Sequence, residues 1–381
     1  MNLIKSKGPV SKADIVRITK VRPATVISII NSLMEENFVH EEGLGESSGG
    51  RKPVLLKLNP KAKYVLGIYI RYDEILGALV DLEGNIEEKL EVKNAFSKDK
   101  NFFIKELTKL IDRLLKEISI NKKNVLGIGI AIPGLVDNAA GEWSFSICKA
   151  WCRDIPLGQI LEDEFNIQVK IENDTRCLAL AEKWFGRARN IKDFLFVDTG
   201  EGVSLGIILN NQLYSGTGYS AGELGHTTID IKGPLCKCGN YGCLEAMASD
   251  DAMISKITEL INKGVSTSLK DVRDIDITPE AIIEHAKRGD KLCSQILEEI
   301  STNLGIGIAN IVNIFNPKVI IIGGRLAEAG DIALGTVKRT VRNRSLQKPA
   351  QDVEVYLSNF KNIKGAQGAA TLILQGLFNT P

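Results

Sequence analysis

The chain has 381 residues, 48 Lys+Arg against 47 Asp+Glu, and an apolar fraction of 44%. That length suggests two or three domains, and the balanced charge excludes a globally basic nucleic-acid coat and an acidic disordered chain. No apolar run reaches the roughly 18–20 residues that span a bilayer, the N-terminus lacks an apolar signal core, and the seven Cys are an odd number. The reading is a cytoplasmic protein without a membrane partner, whose clustered Cys serve a metal rather than disulfides.

The even balance hides an asymmetry. Residues 1–34 carry six basic side chains (Lys5, Lys7, Lys12, Arg17, Lys20, Arg22) and one acid, Asp14. A basic segment on a neutral body suits phosphate contacts. Ser11 is a good N-cap for a short helix with Asp14 at its third position and Ala13, Ile15, Val16 and Ile18 as its buried face. Thr19-Lys20-Val21-Arg22 reads as a turn, and Pro23 suits the first position of the next helix. There Val26, Ile29, Ile30 and Leu33 recur at intervals of three and four as one apolar stripe. Arg22, Thr25 and Ser28 lie near the start of this helix and off the stripe, where a recognition helix meets base edges. Two strand-like runs, 38–40 and Val54–Leu58, flank a Gly-rich basic tip, whose Arg51 and Lys52 could reach a minor groove or phosphates. In this order the pieces predict a winged helix-turn-helix over residues 1–60, with Arg22, Thr25, Ser28, Arg51 and Lys52 nearest DNA.

From Tyr64 the pattern becomes α/β. Strands are expected at Tyr64–Ile70, 76–81, Val125–Ile132, 169–171, 194–198 and Val319–Ile322, with helices at 103–118, 175–184 and 292–313. Two α/β lobes with a cleft between them follow, residues 61–178 and 179–381, the C-terminal helix being placed to pack back on the first lobe. Ligands belong where strands end and loops converge.

The most specific chemistry lies at His226, Cys236, Cys238 and Cys243, four metal-ligating residues within 18 positions. Three thiolates and one imidazole make a closed tetrahedral set, so one structural zinc per chain is expected. Gly239 and Gly242 let the backbone wrap the ion. Cys148, Cys152, Cys177 and Cys293 have no such partners and read as small buried hydrophobes.

At this point the chain resembles the ROK family of bacterial sugar-responsive repressors and sugar kinases. The motifs that carry the resemblance are Gly129-Ile130-Ala131-Ile132-Pro133-Gly134, Glu172-Asn173-Asp174, Gly222-Glu223-Leu224-Gly225-His226, Cys236-Lys237-Cys238-Gly239-Asn240-Tyr241-Gly242-Cys243-Leu244-Glu245, and Asn316-Pro317 with Gly323-Gly324. The resemblance implies an α/β fold in which a winged helix-turn-helix precedes an actin-like two-lobe domain. It also implies a sugar site in which Asn173 and Asp174 bond hydroxyls from one side and Glu223, His226 and Glu245 from the other. His226 would then serve zinc through one ring nitrogen and the sugar through the other. Family repressors have a longer first helix; here only residues 2–7 are available for it.

The family's kinases need a phosphate-holding Asp and a Gly-rich turn. Here Tyr69 stands at the Asp position and Arg71-Tyr72 replace the glycines. In the second phosphate loop, Glu201 places a negative charge where phosphates would lie. Asp174 matches the kinases' general base, but a base without a phosphate-donor site transfers nothing. The expectation is therefore a repressor without catalysis or ATP, responsive to a sugar, with the xylose-responsive members the nearest match, and bound to operator DNA as a dimer or dimer of dimers. The alternative is an ATP-dependent sugar kinase. Arg176 departs from the small residue usual after the Asn-Asp pair.

Overall fold

A computed structural model of the chain describes residues 1–46, 52–93, 99–117, 122–146, 151–269, 277–360 and 363–378. Arg51 and Cys148 lie outside the described residues.

Local chemistry accounts for the N-terminal module. α1 (Asn2–Lys7) leads into β1 (Val10–Ser11). Ser11 then caps α2 (Lys12–Thr19): its hydroxyl accepts the Asp14 amide at 3.1 Å, and the Asp14 carboxylate accepts the Ser11 amide at 3.3 Å. This capping box satisfies N–H groups that the helix start leaves unpaired. Lys20 ends α2 in the left-handed region, and Pro23 opens α3 (Pro23–Glu35). β2 (Val39–Leu44) pairs antiparallel with β3 (Val54–Leu58), which also pairs with β1.

The buried faces are narrower than the periodicity predicts. α2 buries Ile15, and α3 buries Val26 and Ile30. Ala13 is exposed, Ile18 is 41% exposed and Ile29 51%. Ile29 instead lines an open apolar groove of about 320 Å³ with Leu3, Ile4, Ile15, Val26 and Ile30. A six-residue α1 is too short to cover the whole stripe of α3.

The first lobe contains β4 (Tyr64–Ile70), β5 (Glu74–Asp81), β6 (Ile86–Lys93), α4 (Lys100–Glu117), β7 (Val125–Ile132), a small sheet of β8 (Leu135–Asp137), β9 (Glu142–Phe145) and β10 (Arg153–Ile155), α5 (Leu157–Phe165) and β11 (Val169–Asn173). Its main sheet has the order β11-β7-β4-β5-β6. α6 (Asp174–Phe185) leads to β12 (Phe194–Thr199), β13 (Val203–Leu209) and β14 (Gln212–Leu213). α7 (Leu244–Ala248), α8 (Asp250–Asn262), α9 (Pro279–Lys287) and α10 (Lys291–Phe315) precede β15 (Val319–Ile322). α11 (Arg325–Glu328), α12 (Asp331–Arg344), α13 (Gln347–Asp352), β16 (Glu354–Leu357) and α14 (Ile363–Leu377) complete the chain.

The second sheet, β14-β13-β12-β15-β16, repeats the first strand for strand. In each, a central strand has an antiparallel meander on one side and two parallel strands on the other. α6 and α14 pack on each other between the two sheets, α14 against β4 and β7 and α6 against β12 and β13. Glycines permit this closeness. A Cβ on Gly129 would sit 1.9 Å from the Ala369 carbonyl oxygen, and one on Gly368 would sit 2.1 Å from that of Cys177. The divide expected after residue 178 falls inside α6, which runs unbroken and touches both sheets.

The N-terminal module is not a separate bead. Its core residues Ile4, Ile15, Val26, Leu56 and Leu58 belong to one apolar cluster with Val65, Trp184, Ala369 and Phe378. Lys5, counted above among the basic side chains of the module, turns into this cluster. Its Nζ lies 4.5 Å from the Trp184 ring centroid and 4.0 Å from that of Phe378.

Candidate ligand cleft, metal cluster and DNA-reading face

The cleft is assembled at the ends of β11, β12 and β13. Asn173 is the last residue of β11 and the N-cap of α6. Its Oδ1 accepts the Arg176 amide at 3.2 Å, and its Nδ2 donates to the Gly134 carbonyl at 3.1 Å. An Asn side chain has two donors and two lone pairs, so one of each is left for a ligand. Asp174 is the first helical residue and not the cap; its Oδ1 accepts the Thr175 amide at 2.8 Å. Burial pushes the Asp174 carboxyl up, opposed by that amide and by Arg71 and Arg176.

The opposite wall comes from the second lobe. Glu223 precedes a short turn of helix, Leu224–His226, and the charged groups around its carboxyl are His226, Arg176, Asp174 and Glu245. Burial raises Glu223 as well. Glu245, in the first turn of α7, accepts the Val203 amide at 3.2 Å. Asp174, Glu223, His226 and Glu245 therefore come together from three segments distant in the chain.

The other end of the cleft is crowded and acidic. Tyr69 is 5% exposed, and its hydroxyl is held well above its usual pKa, first by burial and then by Asp198 and Asp174. Arg71 binds Asp73 at 3.3 Å and Glu74 at 3.5 Å. Asp198 is pushed up to about 7, chiefly by burial and then by Asp174. Glu201 is pushed up to about 6 by burial, opposed by Arg71. Asp250 adds a further carboxyl there, bound to Arg325 at 3.4 Å. Sequence reasoning missed Asp198 and Asp250: Asp198 is the carboxyl that both Asp174 and Asp250 raise, and that meeting exists only across the fold. A polyanion entering this end would meet the carboxyls of Asp198 and Asp250 inside and that of Glu201 at the exposed rim.

The metal cluster is compact. The donor atoms of His226, Cys236, Cys238 and Cys243 all lie within 4.8 Å of one another. Cys238 and Cys243 place their sulfurs 3.7 Å apart, and Cys236 Sγ lies 3.7 Å from His226 Nδ1. Tetrahedral zinc with bonds of about 2.3 Å holds its sulfurs about 3.8 Å apart, so this donor set fits the ion. Nδ1 is the nitrogen on the cluster side, which leaves Nε2 for another partner. Gly242 turns the loop at φ 65°, where a Cβ would collide with the Asp230 carbonyl oxygen at 1.5 Å. Cys152, Cys177 and Cys293 are fully buried.

On the module, Arg22, Thr25, Ser28 and Lys52 are all exposed. Arg22 is the N-cap residue of α3, with Thr25 and Ser28 in its first two turns. Pro23, Ala24 and Ile27 are exposed at this end of α3 as well, so exposure alone does not single out Arg22, Thr25 and Ser28. Among the described residues no helix is long and apolar enough to cross a membrane.

An exposed helix-turn-helix joined to a two-lobe cleft of carboxylates and a Cys/His cluster defines an actin-like two-lobe domain with an attached helix-turn-helix module. The ROK family matches residues 65–376, and the chain belongs to it. A "Xylose repressor" of Caldicellulosiruptor bescii is 34% identical over 375 residues, covering 98% of this chain and 93% of the relative. A ROK family transcriptional regulator described as a homologue of the E. coli MLC protein superposes with a TM-score of 0.86 at 30% identity, over 98% of this chain and 94% of its own. A ROK family glucokinase from Streptomyces griseus, solved with glucose and AMPPNP, has a TM-score of 0.72 at 25% identity, over 81% of this chain and 98% of its own. The family's kinases share the two-lobe fold with its regulators.

Proposed function

We propose that the protein is a sugar-responsive transcriptional repressor that does not phosphorylate its ligand. The observation that carries this reading is the union, on one chain, of an exposed recognition helix with a cleft whose phosphate end is filled by Tyr69, Arg71, Asp198 and Glu201. The effector is a neutral polyol, because carboxylates, an amide and an imidazole match hydroxyl donors and acceptors. Xylose is the leading choice, supported by the repressor of that name among the relatives. Asn173, Asp174, Glu223, His226 and Glu245 bind it, and one structural zinc is held by His226, Cys236, Cys238 and Cys243.

Operator DNA is read by a dimer, since one recognition helix contacts only a few base pairs and useful specificity needs two half-sites. Arg22, Thr25 and Ser28 face the bases, while Arg51 and Lys52 face the backbone or minor groove. Arg51→Ala or Lys52→Ala will weaken operator binding across sequences and reduce its salt slope by about one. An unchanged affinity in a salt titration of both variants removes the wing from this reading.

A sugar shifts DNA binding only through its differential affinity for two states of the protein. If operator and sugar favour different states, xylose weakens DNA binding and DNA weakens xylose binding by the same factor. The test is operator affinity with and without saturating xylose, beside an ATP-turnover assay with a pentose and hexose panel. ATP-dependent phosphorylation of any sugar would return the chain to the kinases.

A further inference from the structure

Arg176 is one of the residues at which this chain departs from the family pattern, and it is a buried charge with three partners. Its side chain is 3% exposed, and Nη1 binds Glu172 Oε1 at 2.9 Å. Nη2 donates to the Tyr219 carbonyl at 2.6 Å and the Ala221 carbonyl at 3.0 Å. Glu172 belongs to β11 of the first lobe and is itself held by the Asn138 amide at 2.8 Å. Tyr219 and Ala221 belong to the second-lobe segment that runs straight into Glu223. One guanidinium thus spans from the strand that ends in Asn173 to the loop that delivers Glu223 and His226.

The loop has few other anchors on that side. Ala221 bonds back to Ser215 at 3.0 Å, and Gly222 accepts from Leu205 at 2.9 Å. Between them the chain passes Tyr219 at φ 54°, a conformation that costs energy for a bulky residue. Two carbonyls pointing at one nitrogen offset that cost. A lysine could keep the charge beside Glu172, but a single ammonium on a flexible stem cannot reproduce a planar fork aimed at acceptors in two directions.

We propose that Arg176 is a positioning residue for the ligand: by tying residues 219–221 to Glu172, it sets Glu223 and His226 at their distance from Asp174 before any sugar arrives. This rests on reading the cleft as a sugar site. A preset wall means that a ligand need not pay to order the loop, so the tie strengthens binding without touching the ligand.

Two variants of the full-length protein test it. Arg176→Lys keeps a cation beside Glu172 and removes the fork. The double variant Glu172→Gln/Arg176→Met removes the ion pair together and leaves no uncompensated buried charge. Calorimetric titration with xylose, well below the melting temperature so that every variant is folded, is expected to give at least tenfold weaker binding for both. The pH profile separates position from charge. Arg176 holds the Asp174 carboxyl down, so the acid-side loss of affinity should move to higher pH in the double variant and stay in place in Arg176→Lys. A role confined to stability would leave the affinity of both variants at the wild-type value. Wild-type affinity in both variants overturns the inference and leaves the sugar reading standing. No binding of any pentose or hexose to the wild-type protein overturns the sugar reading and this inference with it.

Discussion

Stripping the metal, or replacing Cys243 by serine, will cost the protein both stability and its response to sugar. His226 follows Glu223 by three positions, and Cys243 precedes Glu245 by two. The cluster therefore joins the two segments that carry the second-lobe carboxylates. Between these ends the loop has backbone hydrogen bonds, such as Ile229 to Gly242 at 2.9 Å and Cys236 to Asn240 at 2.8 Å, but little buried apolar surface. Ile231 is 84% exposed, Leu235 62% and Tyr241 58%, and the isolated bridges Thr228↔Cys243 and Leu235↔Tyr241 are its ladder contacts. A loop without an apolar core depends on coordination for its shape, and metal binding there is folding free energy. Loss of a structural metal is among the few single changes that cost several kcal/mol. The expected result for Cys243→Ser is a lowered melting temperature, less than half an equivalent of zinc, and sugar affinity reduced at least tenfold. Chelation of the wild-type protein should do the same, and zinc added back should restore it. Freshly purified protein with no bound metal and full sugar affinity would remove the cluster from the site.

Lys5→Met will stabilise the protein at pH 7. The Lys5 amine is buried without a hydrogen-bond partner among the described residues, between Trp184 and Phe378. Burial, helped by Arg189, lowers its pKa from 10.5 to about 8, against the opposing pull of Glu83 and Asp81. Attraction of the ammonium to two ring faces recovers part of the desolvation cost. A methionine keeps the stem's packing, places a thioether against the same rings, and removes the charge. The gain is of order 1–3 kcal/mol, after allowing for partial solvent access. Its pH dependence has a definite sign. The folded state releases the proton near pH 8, whereas the unfolded chain keeps it to about 10.5. The wild-type penalty is therefore complete below pH 8 and fades as the pH rises toward 10.5, because the unfolded state then binds more protons. Urea midpoints for the two proteins should differ most at pH 7 and converge by pH 10. A constant difference across that range would mean that the amine does not carry the effect. Lys5→Ala, which empties the space between the rings, should destabilise at every pH.

Much of this molecule is written in short-range signals. Ser11, Asp14 and Pro23 mark the helices of the module because capping is an interaction between residues three apart, and the structure places α2 and α3 on those marks. β4, β7 and β15 are apolar runs on strands covered on both faces, and all three occupy the expected residues. The Cys/His spacing is equally local: 18 residues of loop close on four donor atoms. β6 was not legible, since an edge strand at Ile86–Lys93 with half its face in solvent carries charged residues at every second position. Ile29 misleads for a related reason. Its periodicity is that of a core residue, but cover must come from another element, and α1 is too short to supply it.

The residue types and their order along the chain were sufficient for the modular plan and for the Cys/His cluster. Capping, periodicity and ligand spacing each act over a few residues and leave their mark in one stretch of sequence. Tertiary structure alone decided that α6 and α14 form a layer between two sheets, that Lys5 faces inward rather than toward solvent, and that Arg176 reaches carbonyls 43 and 45 positions away. It also decided that Asp174 and Asp250 meet Asp198 at one end of the cleft and, after burial, help to raise its pKa. These outcomes depend on which distant surfaces meet, and burial and electrostatics take their values from those neighbours rather than from the residues beside them in sequence.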